Sequence, residues 1–450
     1  MYTSASLEIR QPRRRALSLT TLSLSYFMIL LDSTILNVAL PAIEKDLHGS
    51  VAGLQWVVNS YTLVFASFLL SGGTAGDHYG VQRTFRLGLG MFTGASLLCG
   101  LAFNLEMLIV ARVLQGLGAA LMVPGSLSLI AHLYAEAHER ARAVAIWAGI
   151  GSIAVGCGPT LGGLLIQLLG WRSVFLVNVP IGLFALLLAI RSIPAVPQLR
   201  ERGLDLPGQA LAVVACCALT YGLIEWGHVA PGLLVAVFAL AIVSGVAFLG
   251  VEARSRHPML PLRMFRSWRV SATMLVALIY QFSFYSLIFV FSLFFEQFYG
   301  FSALTAGLAF LPQTVVGSAM MLCVARLLAR WLSPRVSLAA GMLLGALGML
   351  LLLVGIHTNF VIIALGEALV GIVASFVVTP MTTEALASVE KEQSGVASAC
   401  LNAARQMGGV LGVAILGTLL GSQNLFVGTQ EALAIMMSVF LLGCLLIFTA

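Results

Sequence analysis

Several ionisable residues stand inside long apolar stretches of the sequence, among them Asp32, Arg112 and Glu367. A charge at the centre of a bilayer costs on the order of 3 kcal/mol or more, so such residues are expected to have a partner or a function. A carboxyl group can bind and release a proton, whereas a guanidinium group stays charged. Asp32 and Arg112 therefore predict a pair whose attraction changes when Asp32 takes up a proton. A static buried ion pair that fixes helix packing is the alternative.

Two further carboxyl groups extend this hypothesis. Glu367 lies well inside its apolar stretch, with Arg405 as the only obvious candidate partner, and could bind a proton or a cation. The alternative for Glu367 is a neutral, hydrogen-bonded carboxyl group. Glu296 lies near the end of its stretch, where it is either solvated or a second acidic site. We therefore predict Asp32, Arg112, Glu367 and Glu296 as proton-coupling residues.

The elements that must position these residues are apolar helices. The chain has 450 residues, of which 60% are hydrophobic and 9% are charged, whereas soluble domains carry about 25% charged residues. Its apolar segments are long and continuous, which predicts membrane-spanning helices and excludes a barrel of short alternating strands. Fourteen segments are expected, at 17–41, 53–75, 84–103, 105–132, 141–168, 173–193, 207–226, 231–252, 270–295, 304–326, 335–356, 360–384, 395–420 and 430–450.

The distribution of basic residues predicts the topology. If the N-terminus lies inside, nearly all of the 24 Lys and Arg residues fall in inner connections, and only Lys45 and Arg172 fall in outer ones. This asymmetry predicts a multi-pass protein of a bacterial inner membrane, with both termini in the cytoplasm. The longer inner connections divide the chain into four parts: a cytoplasmic tail (1–16), a six-helix half (17–193), a two-helix insert (207–252) and a second six-helix half (270–450).

Four local patterns occur in a specific order. They are LDSTILNVALP (31–41), GTAGDHYGVQR (73–83), RVLQGLGAA (112–120) and GIGSIAVGCGPTLGG (149–163). Together they resemble the major facilitator superfamily, and within it the fourteen-helix drug:proton antiporters that export many drugs. The resemblance covers essentially the whole chain. It implies the all-α integral membrane fold of that superfamily, with six, two and six transmembrane helices.

The resemblance also implies roles for three groups of residues. The pair Asp32 and Arg112 corresponds to a pair linked to proton coupling in the family. An inner-loop cluster corresponds to a conformational latch: Gly73, Asp77, Gly80 and Arg83. A helix motif marks exporters that exchange substrate for protons: Gly149, Gly156, Gly158, Pro159, Gly162 and Gly163. Val81 and Gln82 depart from the loop pattern, which usually has basic residues there. A plain tight turn and a packing-only motif are the alternatives.

Polar side chains within the segments are candidates for the substrate cavity. They are Asn37, Gln55, Asn59, Gln115, Gln281, Tyr285, Asn402 and Arg405. Aromatic residues could complete the wall, although each is more often a packing residue: Trp56, Tyr61, Phe282, Phe284 and Phe291. Asn59 is neutral where some exporters of quaternary ammonium compounds have an acidic residue, and this leaves the charge of the substrate open.

We find no Walker motif or phosphate-binding loop, so an ion gradient is the expected energy source. The predicted function is proton-coupled export of small amphipathic drugs or toxic compounds, cationic ones included. The expected partners are the substrate, protons and membrane lipid. We expect a monomer that needs no cofactor or metal, has no catalytic residue and binds no nucleic acid. The alternatives are a dedicated exporter of one metabolite and a non-transporting sensor or scaffold.

Overall fold

A computed structural model describes residues 4–134, 136–194, 205–255, 259–260, 262–323, 331–387, 394–422 and 424–449. Within these ranges the regular structure is helical, and no strand occurs in them. The predicted connection between the first half and the insert lies largely outside the described residues. The predicted tail 1–16 is helical from Ser4 onward, because the first helix begins there.

Seven helices form a first bundle, and two helices form a separate pair. The first bundle comprises α1 (Ser4–Leu47), α2 (Val51–Tyr79), α3 (Val81–Gly100), α4 (Leu105–Leu133), α5 (Ala137–Leu169), α6 (Ser173–Leu176) and α7 (Asn178–Ser192). The pair comprises α8 (Leu206–Ile224) and α9 (Pro231–Arg254).

The remaining helices form a second bundle. It comprises α10 (Trp268–Leu293), α11 (Ala303–Ala309), α12 (Leu311–Cys323), α13 (Pro334–Gly355), α14 (Phe360–Ala387), α15 (Ser394–Ser422) and α16 (Leu425–Thr449). A short 3₁₀ helix (Leu262–Arg266) precedes α10, and a π-helical turn (Phe294–Phe298) follows it. The predicted segment 304–326 is divided at Phe310, just before Pro312, which has no backbone N–H to donate.

Thirteen helical stretches among the described residues are long and apolar enough to cross a membrane. The helix α3 is not among them, although its 20 residues occupy the place of the predicted segment 84–103. The chain is thus an all-helical protein with about as many apolar helices as the sequence indicates. The count of fourteen, the cytoplasmic termini and the division into six, two and six helices stay predictions.

The two bundles contact each other mainly through α2 with α15, α5 with α11 and α12, and α1 with α10. The helix α8 packs against both α2 and α15, so it covers the seam between them. Two polar contacts attach the end of α8 there. Trp56 Nε1 donates to Glu225 Oε1 at 3.1 Å, and Thr418 Oγ1 donates to the carbonyl oxygen of Leu223 at 3.1 Å.

Hydrogen bonds between the bundles concentrate at the end where α1 stops and α2 starts. Gln55 Nε2 donates to the carbonyl oxygens of Val413 and Ala414, each at 2.8 Å. Ser292 Oγ donates to the carbonyl oxygen of Asn37 at 2.5 Å. These bonds hold the bundles together at that end, which we call the α1–α2 end.

Candidate functional site

Asp32 and Arg112 form an ion pair inside the first bundle. Asp32 lies on α1 and Arg112 lies on α4, and their side chains are 0% and 1% exposed. Arg112 Nη1 donates to Asp32 Oδ2. Because α4 carries a guanidinium group opposite the carboxylate of α1, neither charge is buried alone. The structure therefore brings together the two residues that the sequence predicts as a pair.

The other carboxylate oxygen of Asp32 accepts two amide hydrogen bonds. Gln115 Nε2 donates to Oδ1 at 2.7 Å, and Asn178 Nδ2 donates to the same oxygen at 3.1 Å. Gln115 Nε2 is also 2.9 Å from Ser96 Oγ. The network thus connects residues of α1, α3, α4 and α7, and its donors converge on one group that can change its charge.

The guanidinium group of Arg112 has further partners in the first bundle. Its Nε donates to the carbonyl oxygen of Val57 at 3.1 Å, and its Nη1 donates to Gln115 Oε1 at 2.7 Å. Its central carbon lies 4.2 Å from the centre of the Tyr61 ring, a cation–π contact.

A cavity of about 230 Å³ lies between the bundles. Residues of α1, α5, α10, α12, α14 and α15 surround it. Three residues predicted for the substrate cavity line it: Gln281, Tyr285 and Arg405. Pro159 and Gly156 of the predicted helix motif also line it. The space is suited to a small molecule with an apolar body and few polar groups.

Five other residues predicted for the cavity do not line it: Asn37, Gln55, Asn59, Gln115 and Asn402. Gln55 donates across the bundles, Gln115 donates to Asp32, and Asn37 Nδ2 donates to the carbonyl oxygen of Ser33 on its own helix at 3.0 Å. Asn402 Nδ2 donates to the carbonyl oxygen of Ser398 on its own helix at 3.1 Å. Asn59 is fully buried, and in the described part of the chain neither polar atom of its side chain has a hydrogen-bond partner.

The two other predicted acidic residues lie apart from the Asp32 network. Glu367 on α14 is 0% exposed, and neither carboxyl oxygen has a hydrogen-bond partner among the described residues. Glu296 lies in the π-helical turn, and its buried Oε1 also lacks a partner there. The neighbouring Gln297 Nε2 donates to Glu44 Oε2 at 2.6 Å and so connects this turn to α1.

The loop motif forms a tight connection between α2 and α3. The helix α2 continues to Tyr79, beyond the predicted end at residue 75, so Gly73 and Asp77 both lie within it. Gly80 has φ of 99°, a backbone conformation that favours glycine, and its carbonyl oxygen accepts from the Arg83 N–H at 3.0 Å. Close by, Gln82 Nε2 donates to the carbonyl oxygen of Ile193 at 2.8 Å, so the residue that departs from the family pattern anchors α3 beside the end of α7.

The glycines of α5 face three different helices. A Cβ atom at Gly158 or Gly162 would meet Thr34 or Ile35 of α1. A Cβ atom at Gly163 would meet the carbonyl group of Ala303 at the start of α11, and one at Gly156 would meet Ser318 of α12. The motif therefore lets α5 approach α1 and the second bundle closely. Gly149 faces open space.

The network contains residues that the sequence reasoning did not assign to it. Asn178 lies in the segment WRSVFLVNVPIG (171–182), where it is a lone amide among apolar residues. Ser96 is likewise a polar residue in an apolar segment, that of α3. The sequence predicts Tyr61 only as an aromatic residue of the cavity wall. A polar side chain in an apolar segment identifies such candidates, but only the fold shows that α7 places Asn178 beside Asp32.

Comparisons with known proteins agree in both sequence and fold. The sequence pattern of the Major Facilitator Superfamily matches residues 22–413. The multidrug resistance protein Stp of Mycobacterium tuberculosis is 36% identical over 412 residues, which cover 91% of this chain and 76% of Stp. The methylenomycin A resistance protein of Bacillus subtilis is 36% identical over 436 residues, which cover 96% of this chain and 93% of that protein.

Among solved structures, a peptide transporter of the POT type in complex with sulfate superposes with a TM-score of 0.73. The superposition covers 95% of this chain and 93% of the transporter, at 13% sequence identity. At this identity the similarity shows the fold alone.

Proposed function

Because the chain belongs to the major facilitator superfamily of membrane transporters, we propose that it exports small amphipathic compounds in exchange for protons. It is a multi-pass transporter and not an enzyme, and its relatives are named as multidrug and antibiotic resistance proteins. The proposal adds three points: protons are the driving ion, the substrate moves outward, and the protein lies in a bacterial inner membrane.

The observation that carries proton coupling is the hydrogen-bonded network around Asp32. Among the described residues Asp32 is its only carboxylate, and every partner of that carboxylate there donates a hydrogen bond to it. When Asp32 takes up a proton, it loses its charge attraction to Arg112 and turns one oxygen into a donor. The donors from α4 and α7 then face a neutral and weaker acceptor. The packing of these helices against α1 therefore becomes less favourable.

The helix α1 connects this change to the cavity. It carries Asp32, and it also contributes Tyr26 and Leu30 to the cavity wall. A shift of α1 after protonation of Asp32 would therefore reach the cavity wall directly. In this proposal the two bundles rock about the cavity, and the bonds at the α1–α2 end break when that end opens.

The remaining sequence predictions fit this mechanism as further parts of the proposal. Both termini lie in the cytoplasm, and fourteen helices divide into two six-helix halves and the α8–α9 insert of a monomer. Glu367 or Glu296 provides the second acidic site, because each has a buried oxygen without a partner in the described residues. The loop cluster from Gly73 to Arg83 serves as the latch, and the α5 glycines permit the close approach that closes the α1–α2 end.

A dedicated exporter of one compound is the second candidate. It is favoured by one observation: the relative from Bacillus subtilis is named for resistance to a single antibiotic. A susceptibility panel with and without the gene separates the two candidates. Protection against several unrelated compounds supports multidrug export, protection against one supports the dedicated exporter, and protection against none contradicts both.

A further inference from the structure

We propose that the cavity binds amphipathic organic anions and that Arg405 receives their acidic group. This inference rests on the proposed export function and names the class of compound that the cavity takes. It starts from the charge of the cavity wall. Arg405 is the only charged side chain among the described residues that line the cavity.

Arg405 has no acidic partner in the part of the chain that the structure describes. None of the ion pairs found there includes it. Its Nε is 3.4 Å from Gln281 Oε1, a long hydrogen bond to a neutral amide. A half-buried guanidinium group without a counter-ion is unfavourable, and a carboxylate or sulfonate that binds two of its N–H groups side by side would relieve this cost.

Neutral hydrogen-bonding groups surround the guanidinium group. Tyr26, Tyr280 and Tyr285 line the same cavity as Arg405. Gln313 of α12 also lines the cavity and is 3% exposed, and both polar atoms of its side chain lack a partner among the described residues. The site therefore offers donors for an acidic group and an unused amide for a second polar group of the same ligand.

The rest of the wall suits an apolar, flat body. The rings of Tyr280 and Phe284 stack with their centres 5.8 Å apart, and Leu30, Ile288 and Met321 complete an apolar surface. Gly156 and Gly317 also line the cavity, where they present no side chain. An aromatic or alicyclic body would fill this space and bury apolar surface.

The placement of the carboxyl groups argues against a cation in this cavity. Asp32 is fully engaged with Arg112, Gln115 and Asn178, and it does not line the cavity. Glu367 and Glu296 do not line it either. A bound cation would therefore share the cavity with Arg405 and find no carboxylate among the described lining residues.

Equilibrium binding to the purified full-length protein in lipid nanodiscs tests this inference. Three fluorescent probes differ in charge on one aromatic body: dansyl-phenylalanine, its methyl ester, and a dansyl derivative with a trimethylammonium group. We expect the anion to bind at least tenfold more tightly than the ester, and the ester more tightly than the cation. Arg405→Gln should weaken anion binding at least tenfold and change ester binding less than twofold, while Arg405→Lys should restore part of the affinity.

Two further variants allow a conclusion even if the Arg405→Gln protein does not fold. Gln281→Glu would give Arg405 an internal counter-ion, so it should abolish the preference for the anion. Arg254→Gln removes an exposed arginine at the end of α9 and should leave all three affinities unchanged. Equal or tighter binding of the cation, unchanged anion binding in Arg405→Gln and Gln281→Glu, or no binding of any probe would each overturn the proposal. Because no proton gradient is applied, these results do not depend on whether export is proton-driven.

Discussion

The side-chain amide of Asn178 donates a 3.1 Å hydrogen bond to Oδ1 of Asp32 and so joins α7 to the ion pair between α1 and α4. The amide is part of the same network as Gln115, which approaches the same oxygen from α4. The charge on Asp32 therefore bears on three helices of the first bundle at once. This relationship allows one protonation event to change how those helices pack.

Replacement of Asp32 by Asn should abolish proton-driven export, because an amide of the same shape cannot exchange a proton. Removal of one partner of a buried ion pair also costs about 3–5 kcal/mol, so the melting temperature should fall. The matched control is Asp46→Asn on the same helix, because Asp46 is exposed and pairs with Arg172 at the surface. Export by Asp32→Asn at the wild-type rate would exclude Asp32 from coupling.

Replacement of Asn178 by Ala removes one donor from the Asp32 carboxylate. A hydrogen bond to a charged group contributes about 1.5–3 kcal/mol, so we expect a roughly tenfold lower export rate in a protein that still folds. Export assays and thermal unfolding measured together check this expectation. Asn359→Ala, which alters an exposed asparagine before α14, should leave the export rate intact. Equal rates for both variants would contradict the role given to Asn178.

Replacement of Gly163 by Val should impair export, because the side chain would meet the carbonyl group of Ala303 and hold α5 away from α11. Gly149→Val on the same helix is the matched control, because a Cβ atom there meets nothing within 4 Å. Measured export should fall severalfold for Gly163→Val and change little for Gly149→Val. A similar loss for both would show that the effect comes from helix propensity and not from close approach.

Replacement of Gln55 by Ala removes two hydrogen bonds between the bundles. We expect the α1–α2 end to open more often, by a free energy of about 1–3 kcal/mol. Distances between spin labels at the start of α2 and at the end of α15 report this directly. The population of the longer distance should increase in the variant. Gln430→Ala on α16, an exposed position, should leave the distribution unchanged. An unchanged distribution in Gln55→Ala would show that these bonds do not hold the end closed.

Much of the fold follows from the sequence because apolar segments must pair their backbone groups internally in a bilayer. The pair of Asp32 and Arg112 follows for the same reason, since each charge needs a partner there. The structure places them in direct contact. The close helix contacts at the motif glycines can also be predicted from the sequence, because small residues mark such contacts.

The sequence could not show which polar side chains share a site, because this depends on the rotation of each helix about its axis. Gln115 was predicted for the cavity but faces Asp32, and Asn178 was not predicted at all. Gln313 lines the cavity without any local motif that distinguishes it. The division of 304–326 into two helices and the extension of α2 to Tyr79 also depend on local packing and turn geometry, which hydropathy does not report.

The most direct test of the central claim is transport by the purified protein in proteoliposomes, with an imposed proton gradient as the only energy source. A compound identified by the susceptibility panel should accumulate against its gradient, and its movement should carry protons the opposite way. Both fluxes should stop when nigericin collapses the pH gradient, and both should be lost in Asp32→Asn. Accumulation that continues after the proton gradient has collapsed would contradict proton-coupled export.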